Sequence, residues 1–286
     1  MKSFIIPIDF SRESIAGLDM AVLFSQKKEI NIQMVYVITS ITDYHPSSIS
    51  DEHKFAEERF KKLISEYEPK LGKNSKLRYI IKKGKVYREI VSQVNSYKDA
   101  MVSASTHGAS GFEELFVGSN ALKIMSATSN PVLTVRKSPV PDKIQKVLLP
   151  IKLHPDTRQK VPTAVEIARL FEAEVHVLGI STTKNRRDLE RLESYSKQTM
   201  GFLESRDVKV VHHMVTGDSL PTLTLNYAEA IDTDLIIMMS SAIDKWNVFF
   251  GSYAQQMLNR SKLPLLSIKP RPKQLPTGFN TFGPEL

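Results

Sequence analysis

Short apolar runs alternate with amphipathic stretches along this chain. Phe4-Ile5-Ile6-Pro7-Ile8 is apolar and β-branched and reads as a buried strand ended by Asp9-Phe10-Ser11. Ser11 is placed to cap a first helix with Ile15, Leu18, Ala21 and Val22 on one face. Residues 30–38 read as a second strand and residues 39–50, poor in periodic apolar positions, as a loop. A charged amphipathic helix is expected over 51–67 with Phe55, Phe60, Leu63 and Ile64 inward, stopped by Pro69 and Gly72. A strand at 77–81, a helix at 86–94 and the apolar run Ala100-Met101-Val102-Ser103-Ala104 follow. A helix reaching about Ala127 and the strand Pro131-Val132-Leu133-Thr134-Val135 complete the set.

Strands alternating with helices predict an α/β fold: a parallel sheet with helices on both faces. Such sheets bind ligands beyond the carboxyl ends of their strands, at a topological switch point. Asp9 and Ser105 both stand at strand carboxyl ends and are expected to converge on one crevice.

The pattern then repeats. Val147-Leu148-Leu149-Pro150-Ile151-Lys152 echoes Phe4 to Asp9. Gly217, Gly251-Ser252 and Pro264-Leu265-Leu266-Ser267-Ile268 echo Gly84, Gly118-Ser119 and Pro131 to Val135, all at one offset of 133 residues. Three echoes in constant register imply a tandem duplication. The expected domains are residues 1–138 and 144–270, with a Pro- and Gly-rich tail at 271–286.

The segment from Ser105-Thr106-His107-Gly108 to Gly118-Ser119-Asn120 joins a strand to a helix through a glycine-containing loop. Glycine permits close backbone approach, and a helix start offers free N–H groups and a positive dipole end. The loop is therefore a candidate phosphate cradle, in which His107 could also touch a phosphate. The same residues suit an ordinary turn and N-cap equally well. No Lys follows Gly118, so this is not a Walker loop, and the glycine spacing is not that of the dinucleotide fingerprint.

Composition narrows the classes. The 286 residues contain no cysteine, which excludes disulfides, thiolate metal sites and cysteine nucleophiles. No secretory leader and no apolar run of membrane-spanning length is visible, so a cytoplasmic protein is expected. The net charge of +8 is spread among acids, as in Arg186-Arg187-Asp188-Leu189-Glu190-Arg191, and reads as solvated helix faces rather than a nucleic-acid surface. His212-His213 cannot form a metal pair if they lie on a strand, because neighbours there face opposite ways. Asp232-Thr233-Asp234 reads as a turn, and Trp246 to Phe250 as aromatics packed under a loop or as a partner- or lipid-facing patch.

On the strand Pro7-Ile8-Asp9-Phe10-Ser11, the loop and the closing Pro-Val-Leu strand, both halves resemble the universal stress protein family, of adenine nucleotide alpha hydrolase-like fold. The family's nucleotide motif is Gly, two residues, Gly, nine residues, then Gly-Ser or Gly-Thr. Gly108 and Gly118-Ser119 match it, whereas Ser105 stands at the first glycine. The resemblance implies a stress-response protein with ATP or AMP, with or without Mg²⁺, in the first half. It implies Pro7 and Asp9 near ribose or adenine, backbone groups of Val37 on the adenine, and Gly108, Gly118, Ser119 and Asn120 around the phosphates. A side chain at Ser105 either crowds the ligand or bonds a phosphate. The resemblance also points to pairing of the closing strands, within the chain or in a homodimer. In the second half Lys152 replaces the aspartate and Met238-Met239-Ser240-Ser241 lacks both early glycines, so its motif is degenerate. The alternative is a module that binds a partner, lipid or small ligand but no nucleotide. Any ATP hydrolysis would be weak, since no base or Walker lysine is visible.

Overall fold

The structure is a computed structural model, and it describes residues 1–39, 46–105, 119–136, 140–240 and 253–271. The chain divides into two compact units, Met1–Val140 and Pro141–Leu286.

Unit 1 contains strands β1 (Ser3–Pro7), β2 (Asn31–Ile38), β3 (Lys76–Lys83), β4 (Ala100–Ser105) and β5 (Val132–Val135). Its helices are α1 (Arg12–Ser25), α2 (Pro46–Tyr67), α3 (Val86–Asn95) and α4 (Ser119–Ala127). The strands are parallel and ordered β3-β2-β1-β4-β5. β1 lies at the centre with both faces covered, which is why Phe4, Ile5 and Ile6 are all fully buried. Ser11 caps α1 by accepting the Ser14 amide at 3.1 Å. Ile90 and Val94 give α3 its buried stripe, and Ile124 and Met125 do so for α4.

Two details differ from the sequence pattern. α2 starts at Pro46, five residues earlier than expected, with proline at its first position, where a missing N–H breaks no helical bond. Phe55 lies outward at 51% exposure, although Phe60 on the same helix is fully buried.

Unit 2 repeats the plan with β6 (Lys146–Ile151), β7 (Glu174–Ser181), β8 (Val210–Thr216), β9 (Leu235–Met239) and β10 (Leu265–Ile268). Its helices are α5 (Val161–Phe171), α6 (Arg186–Glu204), α7 (Leu220–Ala230) and α8 (Tyr253–Arg260). The order β8-β7-β6-β9-β10 again puts the first strand in the middle. Asn185 caps α6 and Ser219 caps α7 through their side-chain oxygens. The Asp232 turn has a left-handed residue (φ 52°), and Asp234 Oδ2 accepts the amides of Gln145 at 2.7 Å and Lys146 at 2.9 Å. This aspartate therefore anchors the start of β6.

Two glycines give opposite stability predictions. A Cβ on Gly72 would meet the Ser25 carbonyl oxygen at 1.8 Å, so Gly72→Ala should destabilise unit 1 by about 1–3 kcal/mol. A Cβ on Gly201, inside α6, would meet nothing within 4 Å, so Gly201→Ala should stabilise by about 0.5–1 kcal/mol. Urea unfolding of the two variants checks both signs.

Candidate functional site

In unit 1 the strand order reverses at β1: β2 adds on one side and β4 on the other. The crevice of a doubly wound sheet opens at that point, beyond the carboxyl ends. Register places the candidate residues there. Pro7 pairs with Val35 and Ile5 with Val102, so Val37 is level with Asp9 and Ser105 with Ile8. The Val35 carbonyl accepts the Ile8 amide at 2.9 Å. Backbone groups two residues apart on a strand point the same way, so the amide and carbonyl of Val37 also face the β1 side. There β1 has already ended. Ser105 is half-buried and paired with Val135.

The chain leaves β1 through a tight polar turn. Asp9 is exposed, and its Oδ1 accepts both the amide (3.0 Å) and the hydroxyl of Ser11. The Asp9 amide donates to Ser14 Oγ at 3.4 Å. Phe10 takes a left-handed conformation (φ 64°), uncommon for an aromatic residue. Its ring stacks on Tyr36 (5.3 Å between centroids) and meets Phe60 (5.0 Å) and Phe55 (6.1 Å) edge-on. The Arg59 guanidinium covers the Phe10 and Phe55 rings at 5.5 and 5.6 Å. The Tyr36 hydroxyl donates to Glu52 at 2.9 Å, and burial together with that carboxylate pushes its pKa up to about 12. An aromatic wall capped by one cation thus stands beside Asp9. The sequence reading missed Tyr36 and Arg59 as part of this edge. Phe55 lies outward because Phe10 and Arg59 meet it there.

Of the remaining predicted residues, Pro7 is half-buried at the end of β1. Ser119 opens α4, with Asn120 exposed beside it in the first turn. His107, Gly108 and Gly118 lie outside the described residues, as do Trp246 to Phe250 and Gly251-Ser252.

In unit 2 the switch point falls between β6 and β9, and the residue leaving β6 is Lys152. Its amide donates to Thr157 Oγ1 at 2.9 Å, and its ammonium lies 4.2 Å from the Tyr253 ring centroid. Lys160 is 1% exposed, and its Nζ donates to the carbonyl of Thr157 and, at 3.4 Å, to Thr157 Oγ1. Burial pushes Lys160 well below the usual lysine range, and the nearby Lys152 charge adds to that; burial alone lowers Lys152. Arg158, also 1% exposed, stacks on Tyr195 at 4.4 Å and donates to Gln198, while its Nε and Nη2 have no hydrogen-bond partner among the described residues. Met238 and Met239 are buried within β9.

His212 and His213 diverge as strand neighbours: His212 is half-buried, whereas His213 is exposed and stacks on Tyr227 at 5.3 Å. Among the described residues no group of three or more His, Asp or Glu could hold a metal ion. No described helix is long and apolar enough to cross a membrane.

The profile of the universal stress protein family matches this chain twice, over residues 1–136 and 143–269. Among solved structures, one similar chain is a universal stress protein from Archaeoglobus fulgidus DSM 4304. Identity is 19% and the TM-score 0.74, with 94% of this chain and 96% of that one covered. A functionally unknown protein from Pseudomonas aeruginosa PAO1 is 15% identical with a TM-score of 0.65, covering 94% of this chain and 93% of that one. At these identities the likeness concerns the fold. The sequence matches no curated protein.

The buried lysines make a stability prediction. A lysine held below its ordinary pKa binds its proton less tightly folded than unfolded, so it penalises folding at neutral pH. The penalty fades as pH rises toward the unfolded lysine value. Tyr253, raised by burial, opposes this only once unfolded tyrosine ionises, near pH 10. In chloride buffer from pH 7 to about 9.5, wild-type stability should therefore climb relative to Lys160→Met. The variant should be the more stable at pH 7, and urea melts across that range measure both effects.

Proposed function

The chain belongs to the universal stress protein family, and on that premise we propose that unit 1 binds an adenine nucleotide, AMP or ATP, in the crevice between β1 and β4. The role that follows is that of a stress-response or regulatory nucleotide binder. One observation carries the reading: Asp9, Val37 and Ser105 reach one carboxyl edge in register, at the point where the strand order reverses.

Each group has a distinct use there. The inward amide and carbonyl of Val37 offer one donor and one acceptor, matching the acceptor and donor on adenine's pairing edge. The exposed Asp9 carboxylate accepts hydrogen bonds from ribose hydroxyls. The start of α4, with Ser119 and Asn120, supplies a positive dipole end and polar groups for phosphate oxygens. Ser105 adds a hydroxyl where the family motif has glycine. Magnesium would arrive with the phosphates of ATP.

Isothermal titration of the full chain with AMP and with ATP tests the proposal. Saturable binding is expected, weakened about tenfold or more in Asp9→Ala, which loses a charge-assisted bond to the sugar. No heat at millimolar nucleotide, or an Asp9→Ala variant that binds as tightly as wild type, contradicts it.

A further inference from the structure

At the edge where unit 1 carries an aspartate, unit 2 gathers positive charge. Lys152 is half-buried against the face of Tyr253, whose hydroxyl bonds Thr224 Oγ1 at 3.0 Å. Lys160 is buried, with both Nζ contacts going to the one residue Thr157. The same Thr157 hydroxyl accepts the backbone amide of Lys152, and the Lys152 charge lies near enough to Lys160 to act on it. Helix α5 starts at the next residue, Val161, and its dipole adds further positive potential.

Nothing described offsets this charge. Among the described residues no carboxylate lies within ion-pair distance of either amine. Asp156, the nearest acid in sequence, is committed elsewhere: Oδ1 accepts from Gln159 at 2.8 Å and Oδ2 lies 3.7 Å from His154 Nδ1. Buried cations without a counter-charge are costly to fold, and a hydrophobic residue of similar shape would cost less. Lys160 gains two bonds to Thr157 and Lys152 a contact with the Tyr253 ring, but neither gains an anion among the described residues.

We propose that Lys152 and Lys160 form an oxyanion site in unit 2 that takes a phosphoryl dianion. Two ammonium groups balance a phosphate carrying about −1.5 to −2 at neutral pH. Lys152, the more exposed of the two, receives the anion, and Lys160 supports it from beneath, steered by the Thr157 oxygens. The Tyr253 face keeps the Lys152 ammonium in position by a cation–π contact. Free inorganic phosphate and a phosphomonoester present the same chemistry to this site. Burial lowers the proton affinity of both amines, and a bound anion would raise it again.

Thermal melts and calorimetry of the full chain with inorganic phosphate, at ionic strength held constant with sodium chloride, test this proposal. Phosphate should raise the melting temperature saturably, and the affinity should fall about tenfold or more in Lys152→Met and in Lys160→Met. Asp9→Ala should leave phosphate binding intact, which separates this site from the nucleotide proposal for unit 1. AMP that displaces the phosphate identifies a phosphomonoester as the natural form; AMP that binds without displacing it identifies free phosphate. Should either variant fold poorly, ¹³Cε-lysine NMR of the wild type gives an independent reading, with two lysine signals moving on phosphate addition. A melting temperature that follows ionic strength alone, or lysine signals that stay still, overturns the proposal.

Discussion

A single hydrogen bond, made twice, sets the geometry on which both sites depend. The residue that leaves the central strand donates its amide to a hydroxyl five residues on: Asp9 to Ser14 and Lys152 to Thr157. That bond satisfies a backbone donor stranded where sheet pairing ends. It also leaves the side chain of the departing residue at the switch point. Because the backbone need is met locally, the side chain itself is free to change sign. Unit 1 presents a carboxylate there and unit 2 an ammonium, on the same strand order.

The two edges differ further in what surrounds that residue. Around Asp9 the chain builds polar turn bonds and an aromatic wall of Phe10, Tyr36, Phe55 and Phe60 under the Arg59 guanidinium. A left-handed Phe10 costs on the order of 1–2 kcal/mol, and its ring contacts hold it in place. Around Lys152 the chain gathers a second lysine, an aromatic face and a helix start. Duplication thus kept the frame and changed the chemistry of the residue that leaves the central strand.

Much of the frame was legible in the sequence. Apolar runs such as Phe4–Ile6 and Val147–Leu149 mark strands buried on both faces, and three echoes at one offset of 133 residues reveal the repeat. Asp9 and Ser105 could be placed at strand carboxyl ends from those runs, whereas Val37 came from the family resemblance and the register that aligns the three from the structure. The rest depended on tertiary placement. An aromatic in a helix, such as Phe55, reads as core until a neighbouring turn comes out to meet it. Nothing in the sequence singles out Lys160, and only the fold around Thr157 buries it. A glycine-poor motif reads as decay, whereas the lysines that make unit 2 chemically distinct carry no spacing signature.

The account's central claim is that one frame carries opposite charge at its two switch points, and hence two different ligands. A crystal structure of the full chain grown with AMP tests this most directly. The account predicts adenine against the Val37 backbone and ribose at Asp9, with no more than a phosphoryl group contacting Lys152. Adenine seated at Lys152, with the Asp9 edge empty, would contradict it.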